Sequence, residues 1–140
     1  MQAWSPYLNK DQLKVEMVQK RAVKMIRNLR ATSYDNRLEE LNLFSLKKRR
    51  LRGDLIEVFK IMKGLSKWDH SLKLKSAMHN IRGHSMKLDK QFNRTDIRKH
   101  FFTQRVVDEW NKLPQKAIEC RSVDALKKVV DAHLNNMNII

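Results

Sequence analysis

A single cysteine, Cys120, in 140 residues leaves no internal disulfide and no thiolate cluster for a metal. Three glycines and two prolines are too few for a glycine-rich phosphate loop or a turn-dense all-β fold. Apolar runs stop after a few residues, far short of the roughly 20 that cross a bilayer. The opening Met1-Gln2-Ala3-Trp4-Ser5-Pro6-Tyr7-Leu8 has neither the basic nor the hydrophobic stretch of a secretory signal. The expectation is an intracellular protein, nuclear or cytoplasmic, without a membrane partner. Acidic residues are scarce as well: 15 Asp and Glu face 30 Lys and Arg, a net charge of +15. That balance opposes compaction and favours an anionic partner.

Catalytic signals are missing too. His70, His79, His84, His100 and His133 form no pair at four-residue helical spacing and no His-Glu motif, which removes the usual zinc signatures. No Asp-Asp pair is available to hold two magnesium ions. Cys120 has no identifiable base beside it and reads as a small, half-buried side chain. No metal, no cofactor and no catalytic residue are expected, and the chain by itself is not expected to be an enzyme.

What is present is helical periodicity over a length that suits one domain. A first helix is expected over residues 10–29, from Lys10 to Leu29, capped by Asn9 or Asp11. Its inward stripe is Val15, Val18, Ala22, Met25, Ile26 and Leu29, widened by Leu13 and Met17; Lys14, Lys20, Arg21, Lys24 and Arg27 face outward. Trp4, Tyr7 and Leu8 precede any helix that would bury them, as in a chain cut from a longer one or a segment stapled over a helix end. A short second helix follows Ser33, with Asp35 in its first turn and Leu38 and Leu41 inward. A third runs from after Ser45 to Lys63, with Gly64 closing it and Leu51, Leu55, Val58, Phe59 and Met62 inward.

Residues 65–94 lose that period. Ser71-Leu72-Lys73-Leu74-Lys75 and Ser85-Met86-Lys87-Leu88-Asp89-Lys90 alternate apolar with polar, as half-buried strands do, so the region is a long hairpin or a loop. A fourth helix is expected from Thr95 to Pro114 with Ile97, Phe101, Phe102, Val106, Trp110 and Leu113 inward. The fifth follows Ser122, with Val123, Leu126, Val130 and Leu134 inward and a frayed tail over residues 135–140. The expected fold is therefore a mostly α single domain: four to five helices in a small bundle, with helices 1–3 in 1–64, the loop or hairpin in 65–94 and helices 4–5 in 95–134.

Two basic clusters stand out. Lys47, Lys48, Arg49, Arg50 and Arg52 occupy the first two turns of the third helix, where the macrodipole disfavours cations by roughly 0.3–1 kcal/mol each. Either these cations and the free N–H groups of the helix tip bind phosphate, or Glu39, Glu40, Asp54 and Glu57 neutralise the run. The second cluster, Arg82, Lys87, Lys90, Arg94, Arg98, Lys99 and Arg105, is opposed by Asp89 and Asp96 alone. His84, Phe92 and His100 lie among these cations, where aromatic stacking on an unpaired base is conceivable, although packing is the simpler role for Phe92. Trp110-Asn111-Lys112-Leu113-Pro114 reads as a helix terminus, with Trp110 and Leu113 buried and Asn111 bonding a terminal carbonyl.

The order of several pieces resembles a known family. They are Ala3-Trp4-Ser5-Pro6-Tyr7-Leu8, Val18-Gln19-Lys20-Arg21-Ala22, Tyr34 with Arg37-Leu38, and Leu43-Phe44-Ser45-Leu46 with Arg49-Arg50-Leu51-Arg52-Gly53-Asp54-Leu55-Ile56. Arg82-Gly83-His84-Ser85, Thr95-Asp96-Ile97-Arg98-Lys99, Phe101-Phe102 with Arg105-Val106-Val107, and Trp110-Asn111-Lys112-Leu113-Pro114 complete the set. Together they resemble the region just beyond the polymerase core in non-LTR (LINE-type) retrotransposon reverse transcriptases, and look closest to the Jockey-like branch. The resemblance implies a helical C-terminal part of an RNA-directed DNA polymerase, without the palm or endonuclease residues. Arg49, Arg50, Arg52, Arg98, Lys99 and Arg105 match positions that are basic in the family pattern, whereas Lys47 and Lys48 are less typical of it. The expected role is sequence-tolerant binding of RNA or DNA backbone through Lys47, Lys48, Arg49, Arg50, Arg52, Arg82, Arg94, Arg98, Lys99 and Arg105. The alternative is a structural module that packs on the polymerase core without binding nucleic acid itself.

Overall fold

A computed structural model of the chain describes residues 5–66, 74–77 and 83–137. Among them are seven α-helices: α1 (Asn9–Lys24), α2 (Tyr34–Glu40), α3 (Leu46–Met62), α4 (Asp96–Lys99), α5 (Phe102–Asn111), α6 (Gln115–Ile118) and α7 (Val123–Asn135). A 3₁₀ turn, Arg27–Leu29, lies between α1 and α2. The mostly α fold expected from periodicity is the fold observed. Five helices exceed one turn; α4 and α6 are single turns.

The core lies where α3, α5 and α7 meet. Leu55, Val58 and Phe59 of α3, Val106, Val107 and Trp110 of α5, and Leu126, Val130 and Leu134 of α7 all pack into one buried cluster. Each set recurs at spacings of three and four, so each helix turns a single stripe inward. Leu51, Met62 and Val123, also expected inside, sit half-buried at its margin.

The helix ends follow local chemistry. Ser45 accepts from Lys48 N–H at 3.3 Å to start α3, and Ser122 accepts from Ala125 N–H at 3.2 Å to start α7. After α3, Gly64 takes a positive φ of 68°, and Leu65 N–H donates to Lys60 O at 2.7 Å, the helix-closing arrangement that favours glycine. Asn42 fills the same place after α2 with φ 52°. Neither Asn9 nor Asp11 caps α1: Leu8 is the cap residue, without a side-chain bond.

Several expectations need correction, among them the inward placing of Leu13, Met17, Val18, Met25, Ile97 and Phe101, which are exposed. The first helix stops at Lys24 rather than Leu29, because Ile26 is extended and the following turn is held from outside. Arg37, buried, donates from Nε to Leu29 O at 2.7 Å and from Nη2 to Arg30 O at 2.9 Å, which ties the turn after α1 to α2. The helix expected over residues 95–113 breaks at His100 and Phe101, where Phe101 becomes extended and Arg105 Nη1 donates to the freed His100 carbonyl at 3.3 Å. Thr95, which precedes α4, makes no side-chain cap. The hairpin shrinks to one isolated antiparallel bridge between Ser76 and Leu88 among the described residues. Trp4, Arg82 and residues 71–73 of the expected first strand lie outside the described residues, as does the end of the tail.

Candidate nucleic-acid interface

The Trp110-Asn111 segment grips the loop that was expected to be a strand. Trp110 is fully buried, its indole N–H donates to Met86 O at 2.7 Å, and its own carbonyl accepts from His84 Nε2 at 2.9 Å. The His84 ring meets the indole edge-on, centroids 5.8 Å apart. Among the described residues, Asn111 bonds Leu88 rather than a helix-terminal carbonyl. It accepts from Leu88 N–H at 3.0 Å and donates to Leu88 O at 2.9 Å. That paired bond imitates a strand neighbour, so Leu88 is held between Asn111 and the segment around Ser76. Gln104 accepts from Gln91 N–H at 3.1 Å and Gln115 accepts from Ser85 N–H at 3.0 Å. His84 is thus a packing residue, and Trp110-Asn111 fixes the loop's path.

The tip of α3 is already occupied by an anion. Glu16 of α1 accepts from Leu46 N–H through both oxygens, at 3.3 and 3.1 Å, and also accepts from the Tyr34 hydroxyl. Burial, followed by that hydrogen bond, pushes the Tyr34 hydroxyl well above its ordinary pKa. The orphan N–H groups expected to receive a phosphate therefore have an internal carboxylate beside them. None of the four acidic residues considered from sequence is that acceptor, although Asp54 does feel the charge of Arg50 in the basic run. Asp54 faces Arg105, Glu57 accepts from Ser66 Oγ at 2.7 Å, and Glu39 and Glu40 are exposed. Glu16 carries no sequence signal for it, because it lies 30 residues from Leu46.

Of the ten nominated cations, two hold the fold. Arg105 on α5 forks onto Asp54 on α3, with Nε at 2.9 Å and Nη2 at 3.1 Å from its oxygens. Burial pushes the Asp54 carboxyl up, and the Arg105 bonds pull against it. Arg52 on α3 forks onto Asp131 on α7 at 2.5 and 2.9 Å. Such bidentate pairs have fixed geometry and cross-link neighbouring helices. Lys99 donates to Asp96 at 2.8 Å on the surface, and Lys48 is half-buried. Arg49, Arg94 and Arg98 are exposed, with no ion pair among the described residues.

The structure brings part of both clusters together. Lys47, Arg50 and Leu51 of α3 and Asp54, Arg105 and Glu109 line a cleft of about 340 Å³, closed on one side by Ser5, Pro6 and Gln12. Gln12 Nε2 donates to Pro6 O at 3.0 Å, and the Tyr7 ring stacks on His100, centroids 4.7 Å apart and 10° from parallel. The N-terminal segment thus reaches from the cleft to His100, the residue that closes α4. The lining is mixed in sign, with Lys47, Arg50 and Arg105 beside Asp54 and Glu109.

Among the described residues, no helix is long and apolar enough to cross a membrane, and no three His, Cys, Asp or Glu side chains group around a metal-sized space. Compared with family models, curated proteins and solved structures, the chain matches none.

Proposed function

We propose that the chain is a nucleic-acid-binding C-terminal part of an RNA-directed DNA polymerase of the non-LTR, Jockey-like kind. It holds RNA or DNA backbone near a catalytic core supplied elsewhere. The observation that carries this reading is the division among the arginines. Arg52 and Arg105 are consumed by acidic partners inside the fold, whereas Arg49, Arg94 and Arg98 remain on the surface of a chain with net charge +15. The ordered motifs, from Ala3-Trp4-Ser5-Pro6 to Trp110-Asn111-Lys112-Leu113-Pro114, connect that surface to the polymerase family. Exposed guanidinium groups bind phosphate without reading base edges, so the binding is sequence-tolerant. The chain contributes no catalytic group, and it works inside the cell, where the template and target are.

Fluorescence anisotropy with labelled RNA and duplex DNA tests this. Neutralising about five phosphates on a duplex gives a log–log salt slope near −4 to −5. A flat slope overturns the reading.

A second reading is favoured by α1. Leu13, Met17, Val18 and Met25 point to solvent, Val18 being 68% and Met25 76% exposed. Exposed apolar side chains of this number, interspersed with Lys14 and Arg21, suit packing on the polymerase core. If they do so, binding the polymerase domain slows peroxide oxidation of Met17 and Met25. Unchanged oxidation rejects it.

A further inference from the structure

Phe92 is 92% exposed and Ile97 74% exposed, and Phe101 stands half out of the surface. Single exposed apolar residues are ordinary. Here three fall within ten residues, interleaved with Arg94, Arg98 and Lys99. Asp96, the acidic residue among them, is engaged by Lys99.

Both ends of this segment are fixed. Gln91 N–H is bonded to Gln104 on α5, one helical turn beyond Phe101, and Asn93 Nδ2 donates back to Gln91 O at 3.0 Å. Phe92 lies between these two bonds and projects into solvent. At the other end, Arg105 holds the His100 carbonyl, which sets the extended conformation of Phe101. Phe92 is thereby held near the first turns of α5, whose cap residue is Phe101, and Arg94 and Arg98 lie between the two aromatics in the chain.

Aromatic faces among cations are what unpaired nucleotides require: the rings stack on bases while the cations track phosphates. A duplex gains from the cations alone, because its bases already stack on one another. We infer that Phe92 and Phe101, with Arg94 and Arg98, form a stacking platform for single-stranded RNA or DNA, so that the domain prefers single strands to duplex. This rests on the nucleic-acid-binding reading and adds a substrate class to it.

Anisotropy of the full chain with labelled oligouridylate, oligothymidylate and a duplex of matched charge tests the platform. Phe92 makes little contact with the fold, so its variants stay folded, as circular dichroism checks. Tighter binding of the single strands is expected. Phe92→Ala then weakens single-strand binding about tenfold and duplex binding hardly at all. Phe92→Leu behaves like Phe92→Ala, and Phe92→Trp restores affinity. The RNA and DNA arms show which backbone is preferred. Equal affinity for single strand and duplex, or full single-strand affinity in Phe92→Ala or Phe92→Leu, overturns the platform while Arg98→Ala still weakens all three probes. Failure to bind any probe at low salt overturns the platform and the underlying reading together.

Discussion

Helices α1 and α7 both carry apolar residues at spacings of three and four, yet they meet the rest of the fold in different ways. In α7, Leu126, Val130 and Leu134 are buried against α3 and polar residues face water. In α1, polar side chains do much of the inward work. Glu16 holds the tip of α3 and the Tyr34 hydroxyl, and Gln19 Nε2 donates to Phe44 O at 3.1 Å. Val23 is the buried apolar residue of that helix, while Leu13, Met17, Val18 and Met25 face out. A 3.6-residue period shows that a helix has two faces. Which face meets the rest of the chain depends on what the neighbours need, and here the exposed backbone of α3 needed an acceptor.

The contrast is broken most severely in the core. Trp110→Ala is expected to cost about 3–5 kcal/mol, through lost packing and a cavity. Met25→Ala and Val18→Ser should stay within about 0.5 kcal/mol; urea unfolding of all three compares the regions directly. Next comes Arg105→Ala, about 3 kcal/mol, because Asp54 is left buried without its partner. Arg105→Met with Asp54→Leu should recover most of that loss, and a double variant as weak as the single one would show that charge is not the issue. Smaller is Asn111→Ala, about 1–3 kcal/mol for two unmet backbone bonds at Leu88, read as faster amide exchange across residues 84–91.

The α1 side of the comparison is sharpened by pH. Because the fold raises the Tyr34 pKa, the protonated hydroxyl is favoured in the folded state. Its contribution is whole below the ordinary tyrosine value of about 10 and is lost as pH rises past it. The wild type should therefore lose stability more steeply in that alkaline range than Tyr34→Phe. Parallel curves would remove Tyr34 from the account.

The core was legible in the sequence because each stripe in α3, α5 and α7 satisfied a local rule. Ser33, Ser45, Ser122 and Gly64 announced their helix ends for the same reason. The α1 face and the break at His100 were not legible, because Glu16 serves Leu46 thirty residues away and Arg105, fixed by Asp54 fifty-one residues away, holds the His100 carbonyl. Asn111 was expected to serve its own helix and instead serves Leu88. At the candidate interface, the basic residue types were visible in sequence, but the division into fold-holding and exposed arginines was not. Asp54 and Asp131, the residues that consume Arg105 and Arg52, lie 51 and 79 positions away. Phe92 was expected to pack and is exposed, since Gln91 and Asn93 fix the backbone on either side of it.

The most direct test measures stability and salt-dependent RNA binding together in two variants, Arg49→Ala with Arg98→Ala, and Arg52→Ala. The double variant should keep the wild-type Tm and lower the salt slope by about two, roughly one for each phosphate no longer neutralised. Arg52→Ala should lower Tm and leave the slope of the folded protein unchanged. A double variant that melts early with its slope intact would contradict the division between arginines that hold the fold and arginines that hold nucleic acid.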